Sequence, residues 1–269
     1  STRTAQVIAQ NLAARSGPIV PLIAETGGQN VMIVDSTALP EQVVVDVVDS
    51  AFKSAGQRCS ACRVLYLQSE IADHIIELLV GAMSLIRVGD PLNFSTDIGP
   101  VIDGQARDHL RNHVKYLDSI GATCLAHCQM PEGIEGSFFF FFVYEIESLS
   151  QLKDEVFGPI LHVVRYERSD LNAVLDAIHS TGFGLTLGIH SRILGEAERI
   201  AHQVDVGNVY INRNMVGAVV GVQPFGGDHL SGTGPKAGGP WYLQRLCKEQ
   251  TVSVNTTAVG GNASLLVLE

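Results

Sequence analysis

The chain has 269 residues, 46% of them hydrophobic, and a formal net charge of −10, which is typical of a globular protein with one large or two unequal domains. The acidic charge disfavours nucleic acid and anionic membrane surfaces as partners, because both carry charge of the same sign. No apolar run approaches the roughly 18 residues of a spanning helix, and no secretory leader pattern is evident. With an odd number of cysteines, five, we expect a cytoplasmic protein without a disulfide framework, at most membrane-peripheral as part of a larger protein.

Strand-like and helix-like segments alternate along the chain. Apolar spacing predicts helices at 2–15, 40–54, 69–86, 103–117, 170–180 and 194–204. Ser1 or Thr2 is expected to cap the first helix, and Ser69 the third. Apolar runs predict strands at 19–25, 31–34, 63–67, 122–126, 161–166, 185–190, 207–212 and 251–255. Another strand is predicted within the Phe138–Phe142 run, whose composition the sequence does not explain. This order predicts an α/β fold with a mostly parallel sheet and helices on both faces, with chemistry at the carboxyl ends of the strands.

A cysteine on a glycine-bearing loop is the first candidate for chemistry. Cys59 lies in the segment 56–60 (GQRCS), between a predicted helix and a predicted strand. An ordinary thiol is only a few per cent thiolate at pH 7, so we expect the adjacent Arg58 to lower its pKa. Taken alone, a small buried apolar cysteine is the commoner interpretation. Cys59 and Cys62 form a C-x-x-C pair, but no second pair follows at ligand spacing, so we expect no metal.

Two carboxylates occupy candidate positions for acid–base or cofactor chemistry. Glu25 follows a predicted strand and precedes two glycines, which suits a general base, although a solvated turn residue is the commoner outcome on spacing alone. Glu155 and Phe157 share one face of an extended segment, where they can bind ribose hydroxyls and a flat ring. The alternative for this pair is an ordinary loop-to-strand junction.

The glycine-rich segments near the end of the chain are the fourth feature. Residues 224–227 (PFGG) are followed at 231–240 by SGTGPKAGGP. Lys236 is followed by alanine, so the pattern of a phosphate-binding P-loop is not met. No G-x-G-x-x-G follows a predicted strand either, and a phosphate-loop interpretation is therefore poor.

Together, and in this order, the four segments resemble the aldehyde dehydrogenase superfamily over essentially the whole chain. Residues 231–240 and 255–263 (NTTAVGGNA) narrow the resemblance to the L-glutamate γ-semialdehyde dehydrogenase domain of bifunctional proline utilization A proteins. The resemblance implies NAD-dependent oxidation of the semialdehyde to glutamate. NAD is the one cofactor implied for this chain. FAD is implied only for a possible upstream proline dehydrogenase domain and not for this chain.

The resemblance also implies a role for each site residue. Cys59 matches the nucleophile, whose backbone N–H is one oxyanion donor, and Glu25 matches the base that activates water for thioester hydrolysis. Cofactor binding is implied for Glu155, Phe157, Ser1 and Thr26. Substrate binding is implied for Ser60, Gly217 and Ala218, which grip a carboxylate, and for Phe225, which packs on the aliphatic chain.

The resemblance further implies a division into parts. We expect a remnant of the NAD-binding domain at 1–27, the catalytic domain at 28–230 and an oligomerisation tail at 231–269 that forms homo-oligomers through its terminal strand. The adenosine-binding strands and the side-chain amide of the oxyanion hole fall outside this sequence, so we expect poor NAD binding by this chain alone. A non-catalytic aldehyde-dehydrogenase-like module and a thiol redox protein using Cys59 and Cys62 are the two alternatives.

Overall fold

The architecture is built on one sheet of seven strands. The computed structural model describes residues 1–128, 133–255 and 258. The sheet has the strand order β3-β4-β5-β2-β1-β7-β8, and a separate two-stranded sheet pairs β6 with β9. All neighbours in the large sheet are parallel except β3 and β4 at one edge. The strands are β1 (Val31–Val34), β2 (Val64–Gln68), β3 (Thr123–His127), β4 (Phe142–Glu145), β5 (Ile160–Tyr166), β6 (Phe183–Gly184), β7 (Thr186–His190), β8 (Asn208–Ile211) and β9 (Asp228–His229).

The helices of the crossover connections cover both faces of this sheet. From β1 the chain passes through α2 to β2 on one side, whereas β7 lies on the other side of β1 and leads through α6 to β8. Right-handed crossovers therefore put α2 and α6 on opposite faces, which confirms the predicted α/β fold. The helices are α1 (Thr2–Ala14), α2 (Pro40–Phe52), α3 (Ser69–Met83), α4 (Gly104–Ser119), α5 (Leu171–Ser180), α6 (Leu194–Gln203) and α7 (Tyr242–Leu246).

Local sequence signals explain several element boundaries. The β1 strand is buried along its whole length between β2 and β7, as its uninterrupted apolar run predicts. Pro40 begins α2, where its missing N–H costs nothing. Ser1 caps α1 by accepting from the Thr4 N–H, and the Asp103 carboxylate caps α4 by accepting from the Ala106 N–H at 2.7 Å.

Two of the predicted strands are wrong. Residues 19–24 form no strand, Ile19 is fully exposed, and the one bridge of this segment joins Glu25 to Gly232. Residues 251–255 are exposed and are not part of any strand within the described residues. An apolar run becomes a strand only where a neighbour satisfies its backbone groups, and a pattern in the sequence cannot supply that neighbour.

Two details of the prediction also need correction. Ser69 is the first helical residue of α3 rather than its cap, and its hydroxyl donates to the Tyr166 carbonyl oxygen at 3.2 Å. The strand expected in the phenylalanine run begins only at Phe142. Phe141, which precedes it, is fully buried, and its ring centroid lies 5.4 Å from that of Phe52 on α2. The run therefore supplies core volume, which explains its composition.

The proposed division into parts at 27/28 and 230/231 stays a prediction. Residues 231–237 run back beside earlier parts of the chain, where the Glu25–Gly232 and Phe225–Ala237 bridges hold them. The rest of the expected tail, at 256–257 and 259–269, lies outside the described residues. In the part of the chain that the structure describes, no helix is long and apolar enough to cross a bilayer.

Candidate active site

The candidate residues converge at the amino ends of the parallel strands. Glu25 lies on the segment that enters β1, Cys59 on the segment that enters β2, and Glu155 on the segment that enters β5. This contradicts the expectation of chemistry at the carboxyl ends. The cause is local: the strand predicted to end at Glu25 does not form, so this carboxylate belongs to the approach to β1.

Residues 54–61 carry the candidate nucleophile Cys59, and we call them the nucleophile segment. The segment begins with a sharp left-handed turn soon after α2. Ser54, Ala55 and Gly56 have φ values of 58°, 53° and 65°. Non-glycine residues in this region are uncommon and cost energy, so the surrounding structure must hold the turn. A side chain at Gly56 would place its Cβ 2.2 Å from the Gly158 carbonyl oxygen. The glycine therefore allows the Cys59 segment to lie directly against the segment that carries Glu155.

A buried asparagine holds the other side of the nucleophile segment. The Asn30 amide donates to the Cys59 carbonyl oxygen at 2.6 Å and to the Ala61 carbonyl oxygen at 2.9 Å, and its own oxygen accepts from the Thr186 N–H at 3.2 Å. Asn30 therefore ties the nucleophile segment to β1 and β7. The sequence analysis missed it, although a polar residue directly before a continuous apolar strand is a usable signal.

The environment of Cys59 raises the pKa of its thiol. Burial of the half-exposed side chain is the main cause, and the Glu155 carboxylate adds repulsion. The backbone N–H groups of Ser60 and Cys59 oppose these effects by donating towards the sulfur. The expected lowering by Arg58 is wrong, because the exposed Arg58 side chain turns away and its Nε donates to the Ser54 hydroxyl at 3.0 Å.

The second cysteine of the C-x-x-C pair is chemically quiet. Cys62 is fully buried, its thiol donates to the Val64 carbonyl oxygen at 3.4 Å, and burial raises its pKa to about 12. A resolving thiol must form thiolate readily, so this environment argues against a redox pair with Cys59. Among the described residues, no group of three or more His, Cys, Asp or Glu side chains could hold a metal ion.

Glu25 has the proton affinity of a base that works near neutral pH. Its pKa is raised to about 7, chiefly by partial burial and also by repulsion from the neighbouring Asp228. The Gly227 N–H and the Lys236 ammonium lower it. A carboxyl group with this pKa can take up and release a proton at neutral pH, as a general base must.

Glu155 is anchored inside the site rather than free in solvent. One carboxylate oxygen accepts from the Arg63 guanidinium at 3.0 Å, and the Gly28 N–H also donates to the carboxylate. A Cβ on Gly27 would come within 1.9 Å of the other oxygen, so a side chain there would displace the carboxylate from this position. Phe157 lies 5.2 Å from the Arg63 guanidinium carbon and is 43% exposed, which leaves its ring partly open to solvent.

The other predicted binding residues occupy varied settings. Ser60 is buried; Gly217 is exposed with φ +78°, and Ala218 and Phe225 are partly buried. Burial is the main cause that raises the pKa of Tyr210 on β8, and the charge of a Cys59 thiolate adds to the shift, so these two side chains are electrostatic neighbours.

The two remaining residues expected at the cofactor make structural contacts. The Thr26 hydroxyl donates to the Leu230 carbonyl oxygen at 2.5 Å, and Ser1 caps α1. These contacts connect the start of the chain to the segment around Leu230. They do not test the cofactor role expected for either residue.

Known proteins with related sequences cover nearly the whole chain. The bifunctional protein PutA of Klebsiella aerogenes is 53% identical over 254 residues, which are 91% of this chain and 19% of that protein. The 1-pyrroline-5-carboxylate dehydrogenase of Geobacillus kaustophilus is 34% identical over 236 residues, which are 86% of this chain and 45% of that protein. The chain thus spans less than half the length of either relative.

Solved structures give the same result for the fold. A crystal structure of a Bradyrhizobium japonicum proline utilization A mutant matches with a TM-score of 0.92 and 55% identity, covering 97% of this chain and 26% of that one. A Staphylococcus aureus betaine aldehyde dehydrogenase in complex with NAD⁺ matches with a TM-score of 0.80 and 26% identity, covering 88% and 48%. The model of the aldehyde dehydrogenase family matches residues 1–252, and the chain belongs to that family.

Proposed function

We propose that this chain carries the catalytic residues of an NAD-dependent dehydrogenase that oxidises L-glutamate γ-semialdehyde to L-glutamate. One observation carries the proposal. The half-buried Cys59, whose sulfur accepts from the Ser60 N–H, lies close enough to two carboxylates, Glu155 and Glu25, that both raise the pKa of its thiol. The pyrroline-5-carboxylate and proline utilization names of the relatives support this substrate.

The first step belongs to Cys59. Its thiolate attacks the aldehyde carbon, a C–S bond forms, and the carbonyl oxygen takes up negative charge as a thiohemiacetal. The Cys59 N–H is available to stabilise this charge, and a preorganised donor of this kind contributes about 2.7–4 kcal/mol. A nicotinamide, when bound, would supply the acceptor for the hydride from the thiohemiacetal carbon, and loss of that hydride would convert the adduct on Cys59 into a thioester.

The second step belongs to Glu25. Its carboxylate takes a proton from water as the water oxygen attacks the thioester carbon. The C–S bond then breaks, glutamate leaves and the Cys59 thiolate is regenerated. A pKa of about 7 leaves a large fraction of Glu25 ionised at neutral pH and able to accept this proton.

The residues expected at the nicotinamide end suit that role. The Glu155 carboxylate uses acceptor sites for Arg63 and the Gly28 N–H, and further lone pairs stay available for ribose hydroxyls. The half-exposed ring of Phe157 offers a flat surface beside it. We propose these two residues as the ribose and ring contacts, together with Ser1 and Thr26 nearer the phosphates.

The carboxylate of the substrate needs hydrogen-bond donors at the end of the site away from the nicotinamide. We propose the Ser60 hydroxyl and the backbone N–H groups of Gly217 and Ala218 for this role, with Phe225 against the aliphatic carbons. The positive φ of Gly217 and its exposure fit a backbone that a ligand approaches closely.

Cysteine replacement tests this function. With glutamate semialdehyde and NAD, Cys59→Ala in the protein that carries this chain is expected to abolish NADH formation. Cys62→Ala, a matched change of a buried thiol three residues away, is expected to retain it. NADH formation that persists unchanged in Cys59→Ala would exclude the mechanism. Inactivity of the wild type with every aldehyde would favour a non-catalytic structural module instead.

Cofactor binding by the 269-residue chain is a separate proposal. We expect weak binding, because the resemblance places the adenosine-binding strands outside this sequence. Titration of the chain with NAD in a calorimeter measures this, and tight saturable binding would contradict it.

A further inference from the structure

We propose that Arg63 is a positioning residue that couples the nucleophile segment to the cofactor-side segment, so that a change at residues 155–158 alters the reactivity of Cys59. The proposal rests on the proposed function only for the roles of those two segments. Its observations are contacts of one fully buried guanidinium.

The first set of contacts is with the chain that leads into the nucleophile. Arg63 Nη1 donates to the Gly56 carbonyl oxygen at 2.6 Å, and Nη2 donates to the Arg58 carbonyl oxygen at 3.0 Å. These carbonyls lie at the end of the left-handed turn and directly before Cys59. Because that turn includes strained non-glycine residues, an external clamp is needed to hold it.

The second set is with the cofactor-side segment. Arg63 Nη2 donates to Glu155 Oε1 at 3.0 Å, Nη1 lies 3.4 Å from the Gly158 carbonyl oxygen, and the guanidinium carbon is 5.2 Å from the Phe157 ring centroid. A single planar group thus contacts both segments. Arginine suits this role because its donors are fixed in one rigid fork.

The backbone of Arg63 is itself fixed in the sheet. Its N–H donates to the Asn30 carbonyl oxygen at 2.9 Å. Its carbonyl oxygen accepts from the His162 backbone N–H at 3.0 Å and from His162 Nδ1 at 2.8 Å. Because the Arg63 backbone is fixed, its guanidinium can transmit a movement of one of the two segments that it contacts to the other.

Replacement by lysine separates positioning from charge. Arg63→Lys keeps the positive charge but cannot make these contacts together. We expect kcat to fall roughly 10- to 100-fold, as for a misplaced reacting group. We also expect the pH midpoint of iodoacetamide alkylation at Cys59, followed by peptide mass mapping, to shift down by about one unit, because a loosened turn exposes the thiol. Arg165→Lys, a matched change of an ion-paired arginine on β5, is expected to alter neither quantity.

A second variant keeps the test decisive if Arg63→Lys does not fold. Phe157→Leu changes a contact that the Arg63 guanidinium makes with the cofactor-side segment. Its effect is measured as the alkylation rate of the Cys59 thiol in the absence of nicotinamide. We expect a change of roughly twofold or more in the alkylation rate of Cys59, since even a fraction of a pKa unit gives that factor. Phe94→Leu, at a fully exposed phenylalanine, is the control.

The outcomes are distinct. An unchanged alkylation profile in both folded variants would overturn the coupling, whatever the substrate proves to be. Alkylation shifts in a protein that oxidises no aldehyde would support the coupling while refuting the proposed function.

Discussion

Glu25 and Lys236 lie on either side of Gly226. A Cβ built on Gly226 would come 2.7 Å from Glu25 Oε1 and 3.2 Å from Lys236 Cα. The glycine therefore leaves the space that the carboxylate occupies, and the position of the proposed base depends on a residue with no side chain.

Gly226→Ala is expected to displace the Glu25 carboxylate and to slow thioester hydrolysis roughly 100-fold, because about 1 Å of misplacement has an effect of that size. NADH should then appear as a burst of about one equivalent followed by a slow phase in rapid-mixing kinetics. Gly81→Ala on α3 is the matched control, since its new methyl group would meet nothing within 4 Å. A steady-state rate equal to wild type in Gly226→Ala would contradict this role.

The rate of hydrolysis should rise with pH through about 7. Glu25 acts as a base only when ionised, and its pKa is about 7, so the rate falls below that pH and levels off above it. Asp228→Asn removes a negative charge that raises this pKa, so the midpoint should move to lower pH. Single-turnover thioester hydrolysis measures it. Asp205→Asn, whose carboxylate pairs with His229, should leave the midpoint unchanged.

Glu155→Gln should make the Cys59 thiol more reactive in the absence of cofactor. The carboxylate raises the thiol pKa by repulsion, and the amide keeps an acceptor for Arg63 without the charge. A lower thiol pKa increases the thiolate fraction at pH 7, and alkylation should become faster by roughly severalfold. Asp154→Asn, one residue earlier, is the control. Slower alkylation in Glu155→Gln would contradict the prediction that the Glu155 carboxylate raises the pKa of the Cys59 thiol.

Phe141→Ala should lower the free energy of unfolding by about 3–5 kcal/mol, the usual cost of removing a buried aromatic ring. Phe141 is fully buried against Phe52. Phe94→Ala, at a fully exposed ring, should change it by less than about 0.5 kcal/mol. Urea denaturation of both variants compares them, and equal midpoints would contradict the packing described for the phenylalanine run.

Strong periodic patterns predicted most of the fold. The buried strand β1 and the proline-led helix α2 were correct because each pattern is complete within its own segment. The run at 19–25 failed because strand formation depends on a distant neighbour. The expectation that the site lies at the carboxyl ends of the strands was wrong for the same reason, because it depended on a strand that ends at Glu25.

The sequence pointed only to those site residues that have a proposed chemical role. Glu25 and Glu155 both lie close enough to Cys59 to raise the pKa of its thiol. Asn30 and Arg63 were missed because their side chains donate to backbone carbonyl oxygens. Such contacts require no particular residue at the partner position and therefore produce no recognisable motif. Arg63 did carry one signal: it is a charged residue directly before the apolar run of β2, and such a residue needs a buried partner.

The location of the site at the amino ends of the strands also determines which pole of α2 points towards it. In a β1–α2–β2 crossover the helix runs opposite to the strands, so its carboxyl end, with its partial negative charge, lies on the Cys59 side. Helix-terminal cysteines that react readily use the opposite, positive pole. This chain must therefore stabilise any anion at Cys59 with single N–H groups such as that of Ser60, and a reactive thiolate here depends on a few local donors rather than on a helix dipole.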